Sequence, residues 1–142
     1  MARSRYTGDD GVVAVELVII APVILLGLMM LVVFAGRFAH AENSVQVAAQ
    51  RSARAATLKD RPGTASEVAR HTAEVNLAEA GVACSQGLDV AVNTAKLRPG
   101  GQVTVTVICT ASFADVASLG VPGTRVFSST STEIVDTYRS NP

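Results

Sequence analysis

Gly11-Val12-Val13-Ala14-Val15-Glu16-Leu17 joins a short polar head to a long apolar run, and its reading decides the fold. From Val12 to Gly36 the chain carries one charge, Glu16. As a helix these residues rise about 37 Å at 1.5 Å per residue, more than the roughly 30 Å hydrocarbon core of a bilayer. Residues 12–36 are therefore predicted to form a transmembrane helix. A carboxylate in such a span costs about 2.5–3.5 kcal/mol at the bilayer centre and less near an end, so Glu16 needs a compensating partner. Gly11 offers one indirectly. Glycine resists helix and accepts the extended form that a protease at the membrane surface requires. A cut after Gly11 would make Val12 a new N-terminus, with an ammonium one helical turn from Glu16 and free to pair with the carboxylate of a neighbouring subunit. Pro22, about three turns in, removes one backbone hydrogen bond and is predicted to kink the helix.

The hydrophilic head Thr7-Gly8-Asp9-Asp10-Gly11, the Val13-Ala14-Val15-Glu16-Leu17 segment and Ala21-Pro22 within the apolar run resemble the processing region of type IV pilin-like proteins, specifically the TadE-like pseudopilins of the Flp/Tad pilus system. The resemblance is sharp over about the first 55 residues and looser beyond. It implies a prepilin-type leader over residues 1–11, processing at Gly11-Val12 by a prepilin peptidase, and Glu16 as the subunit-pairing carboxylate. The implied partners are that peptidase, the Tad platform with its cytoplasmic ATPase, other pilins and pseudopilins, and membrane lipid. The length fits a minor pilin, since the major Flp pilins are much shorter.

Beyond Gly36 the helical period continues through Phe38, Ala41, Val45, Ala48, Ser52, Ala55 and Ala56, with no proline or glycine before Arg61-Pro62-Gly63. One helix is expected from about Val12 to Leu58, its residues 37–58 an extracytoplasmic stalk with a stripe of small side chains. Thr64-Ala65-Ser66-Glu67 reads as a capping box opening a second helix over 64–81, with Ala69, Ala73, Leu77 and Ala80 on its apolar face and Gly81 at its end. The short connection predicts an antiparallel helical hairpin. From residue 82 to 142 the pattern becomes β-rich. Leu88, Val90 and Val92 alternate with polar or small residues; after Arg98-Pro99-Gly100-Gly101, so do Val103, Val105, Val107, Cys109, Ala111 and Phe113. A third strand is expected from about Thr124 to Thr137, after a loop containing Gly120-Val121-Pro122-Gly123. The fold class is α+β: a long N-terminal helix, a second antiparallel helix, and a small antiparallel sheet of about three strands.

Cys84 and Cys109 are the two cysteines, and Cys109 falls on the inward phase of its strand. In an oxidising compartment they would most simply form one disulfide, which places the C-terminal domain outside the cytoplasm and the N-terminus inside it. Arg3 and Arg5 on one side of the span, against Arg37, Arg51 and Arg54 on the other, leave the positive-inside count undecided.

Net charge is zero with the basic residues spread, which argues against nucleic acid, since phosphate neutralisation requires a concentrated basic face. Tryptophan is absent and aromatics make up 4%, so the soluble core is expected to consist of Val, Ala, Leu and Ile. No nucleophile elbow, phosphate loop, CxxC or HExxH is present. Glu67, His71 and Glu74 share a helical face, but the ordinary reading is a solvated surface with Arg70 paired to Glu74. No enzyme activity, cofactor, metal or small-molecule substrate is expected. Two other readings remain open. Ala39-His40-Ala41 resembles a signal-peptidase site with Glu42 as the mature start, although the apolar run far exceeds an ordinary signal core. An uncleaved single-pass protein with a ligand-binding β domain is the second.

Overall fold

The computed structural model describes residues 10–112 and 123–138 of the 142-residue chain. The leader residues before Asp10, Phe113 and the loop residues 113–122 lie outside the described residues. Five elements follow one another: α1 (Asp10–Thr57), α2 (Pro62–Glu79), β1 (Leu88–Lys96), β2 (Gln102–Ser112) and β3 (Thr124–Ile134). The chain divides into two compact units, residues 1–38 and 39–142, and α1 contributes to both.

Within the second unit, the C-terminal part of α1 and all of α2 share one core with the sheet. The α1 contribution is Ala41, Val45, Ala48, Ala49, Ala53 and Ala56; that of α2 is Ala65, Ala69, Ala73 and Leu77. Nearly all are alanines. Side chains of one carbon let helix backbones approach closely, and the area each buries is small, so the core depends on fit more than on bulk. The buried face of α1 is wider than the single stripe that periodicity picks out, because Ala49 and Ala53 are also fully buried. Across the hairpin, the Arg51 guanidinium donates to Asn76 Oδ1 at 2.5 Å, and Asn76 Nδ2 donates to the Thr72 carbonyl at 2.7 Å.

The second helix starts two residues before the capping box predicted at Thr64. Arg61 occupies the N-cap with extended backbone (φ −107°, ψ 133°) and makes no side-chain cap bond. Pro62 explains the shift. It forces the residue before it out of the helical region, and its own fixed φ and missing N–H suit the first helical position. Ser66 accordingly donates to the Pro62 carbonyl at 2.9 Å, as a side chain inside the helix. The other end follows expectation. Gly81 has φ +70°, its N–H donates to the Ala78 carbonyl at 3.0 Å, and the Val82 N–H donates to the Leu77 carbonyl at 2.9 Å. This paired pattern closes a helix on a left-handed residue, where glycine carries no Cβ penalty.

The sheet is antiparallel with order β1-β2-β3. Val103, Val105, Val107, Cys109 and Ala111 of β2 are buried, and Leu88, Val90 and Val92 of β1 and Phe127 of β3 lie on the same face. The opposite face is threonine-rich: Thr104 and Thr132 share a hydrogen bond at 2.9 Å, as do Thr106 and Thr130. The β1–β2 turn is tight enough that a Cβ on Gly101 would stand 2.0 Å from the Lys96 carbonyl oxygen. β3 ends at Ile134, short of the expected Thr137. Val135 then bonds the turn in both directions, donating to the Gly101 carbonyl at 2.9 Å and accepting from the Gly100 N–H at 3.1 Å.

Candidate functional site

The first unit is the apolar part of α1. Its most apolar 18-residue window has mean hydropathy 3.1 and none of it is buried. From Leu17 to Val33 the large side chains are exposed on every side of the helix, among them Val18, Ile24, Leu26, Met29 and Val32. A helix that is apolar all round requires an apolar environment on all sides, which water does not supply. Lipid or a bundle of similar helices does.

Four positions singled out by sequence lie on this helix. Gly11 and Val12 fall inside α1, which starts at Asp10, so the bond between them is in its first turn. Sequence reasoning started the helix at about Val12 and read Gly11 as a residue that accepts the extended form. The first four N–H groups of a helix have no intrahelical partner, so unwinding this turn breaks few hydrogen bonds, and glycine lowers the cost by roughly 1 kcal/mol relative to alanine. Glu16 is exposed, and among the described residues it has neither an ion pair nor a hydrogen bond. It is flanked along the helix by Leu17, Ile20, Ala21 and Ile24. A carboxylate in such a setting is costly in lipid until a cation reaches it. Pro22 lies within α1, which continues through it, and the Val18 carbonyl four residues earlier has no N–H to accept.

Residues 11–54 match the family model of TadE-like proteins. Over this segment the chain is similar to TadE-like proteins. The match begins at Gly11, contains Glu16 and Pro22, and covers under a third of the chain, stopping within α1 before α2 and the sheet. It associates the protein with the Tad pilus, and the long apolar helix near the N-terminus fits a membrane-anchored member of that system. No curated protein and no solved structure matches the chain.

The remaining predicted positions lie in the second unit. Cys84, in the segment between α2 and β1, is disulfide-bonded to Cys109 of β2 across 25 residues, with Cα atoms 5.2 Å apart. The bond ties the chain leaving α2 to the buried face of the sheet. Next to it the Gln86 N–H donates to the Thr110 carbonyl and the Thr110 N–H to the Gly87 carbonyl, extending the β1–β2 ladder. Arg70 pairs with Glu74 at 3.3 Å on the exposed face of α2. Among the described residues no three His, Cys, Asp or Glu side chains converge as a metal site.

His40, read from sequence only as part of Ala39-His40-Ala41, makes a tertiary contact. Its Nε2–H donates to the Ala80 carbonyl at 3.0 Å, at the C-terminal end of α2. Forty residues separate the two, and no local pattern links them. Ala39-His40-Ala41 lies within the uninterrupted α1, with Ala41 buried. A signal-peptidase cut there would require unwinding a packed helix.

Proposed function

We propose that the protein is a minor pilin of the Tad system, cut after Gly11 by a prepilin peptidase and packed against other pilins through its N-terminal helix. The observation that carries this reading is the family match, whose first residue is Gly11 and which contains Glu16, a carboxylate with no partner among the described residues. Before cleavage, Val12 contributes an amide. After cleavage it contributes an ammonium that can meet the Glu16 carboxylate of a neighbour. Two groups that are each costly in lipid then offset one another, and the axial register between subunits is fixed. The apolar helix sits in the cytoplasmic membrane with the leader on the cytoplasmic side. The disulfide supports an oxidising, extracytoplasmic setting for the domain from Ala39 onward.

Glu16→Gln tests the pairing. Neutralising the charge makes the span more apolar, so the variant should insert and be cut as wild type and then fail to co-purify or crosslink with pilin partners. Normal assembly of the Gln variant would remove the pairing role, and loss of cleavage would move Glu16 to peptidase recognition. One observation favours the uncleaved single-pass reading: the Gly11–Val12 bond is helical. That reading requires full activity when Gly11 is replaced by a bulky residue.

A further inference from the structure

The two edges of the sheet differ. β1 carries a register irregularity between Asn93 and Lys96 and has α2 packed against it. β3 has neither proline nor bulge, and its register with β2 runs unbroken through eleven pairs from Gln102↔Ile134 to Ser112↔Thr124. Natural sheets normally blunt a long exposed edge, because its unpaired N–H and C=O groups template another strand.

The hydrogen-bond phase of β3 follows from its ends. Val135 directs its N–H and C=O toward the β1–β2 turn, so odd-numbered residues of β3 face β2 and even-numbered ones, Thr124 to Ile134, direct theirs to the open edge. Among the described residues no backbone hydrogen bond crosses that edge. β3 also carries two charges of opposite sign, Arg125 and Glu133, each four residues from Ser129 and on the same face. Among the described residues neither makes an ion pair or a side-chain hydrogen bond.

We propose that β3 is a self-pairing edge: two copies of this chain join β3 to β3 antiparallel about Ser129, making a six-stranded sheet. In that register Arg125 of each copy lies opposite Glu133 of the other, so one two-fold interface holds two ion pairs. Ser128 and Thr130 exchange backbone hydrogen bonds across the axis. The charged residues fall in non-hydrogen-bonded pairs, where facing side chains come closest. A one-residue slip in either direction loses both pairs, and parallel pairing in register places like charges side by side, so the pattern selects one arrangement. Such an isologous contact closes on itself. It is separate from the helix contact proposed above, and anchoring both copies in one membrane raises their effective concentration.

The test is the oligomeric state of the full-length protein in mild detergent, measured by sedimentation at low and high salt. Wild type should dimerise at micromolar concentration, more weakly as salt rises. Arg125→Glu and Glu133→Arg each place two like charges across the axis and should raise the dissociation constant about tenfold at low salt, whereas the double exchange should restore it to within about twofold. Ser128→Pro removes an N–H that faces the open edge while leaving the ladder to β2 intact, and should abolish the dimer with the melting temperature of the monomer nearly unchanged. A monomeric wild type, or a dimer indifferent to both single reversals and to the proline, would overturn the proposal. In the second case the contact lies in the apolar helix.

Discussion

The two halves of α1 reverse the usual relation between side-chain size and burial. From Leu17 to Val33 its side chains are mostly Val, Leu, Ile and Met and they are exposed; from Ala41 to Ala56 its buried residues are nearly all Ala and Ser. The small-residue half is satisfied within the chain, since α2 and the sheet share its core. The large-residue half is left for an apolar environment such as lipid. Removing apolar surface from water is worth roughly 25 cal/mol per Å², so the half with the bulk is the half whose partners lie outside the protein. Side-chain size thus separates the part that packs within the chain from the part that leaves its apolar surface exposed.

The largest expected effect that bears on this contrast is loss of the disulfide. In the chain-entropy model, closing a loop of this length contributes about 3 kcal/mol. Cys84→Ala/Cys109→Ala should lower the melting temperature of the domain from Ala39 onward by about 10–20 °C, followed by circular dichroism, while insertion of the apolar helix is unchanged. A coincident loss of insertion would show that the two halves are not independent.

Next comes a paired substitution. Ala49→Leu forces three extra carbons into a fully buried position and should cost about 1–3 kcal/mol. Gly27→Leu, where an added Cβ meets nothing within 4 Å, should leave that melting temperature within error. Equal effects at the two positions would break the comparison.

The smallest effect sharpens it. Ser52 Oγ is buried with no hydrogen-bond partner. Replacing it with alanine removes an unsatisfied polar atom, so Ser52→Ala should stabilise the domain by about 1 kcal/mol in urea unfolding, with an unchanged m-value.

What the sequence disclosed follows from the range over which each signal acts. The apolar run, the period of two in β1 and β2 and the inward phase of Cys109 are properties of neighbouring residues, and the structure agrees with all three. Thr64-Ala65-Ser66-Glu67 was also a local signal, but Pro62 exerts a stronger one two residues earlier and starts α2 itself. The width of the buried face on α1 was hidden because alanine is equally at home on either side of a helix; Ala49 and Ala53 look no different from Ala55, which is only partly buried. The His40–Ala80 contact and the Val135 bonds to Gly100 and Gly101 depend on tertiary placement. Gly11 and Glu16 were legible as candidates from charge and spacing, and the family match contains both. The helical backbone at Gly11 was not, because glycine propensity is a weak prior at a helix end.

The central claim is that Gly11 ends a leader and that Val12 begins the working protein. Intact-mass and N-terminal peptide analysis of the protein purified from its native membrane tests it most directly. A chain starting at Val12 is predicted, with Gly11 replaced by a bulky residue giving only the uncut form. A native chain that retains its leader, starting at Met1 or Ala2, or one starting at Glu42, would contradict the account.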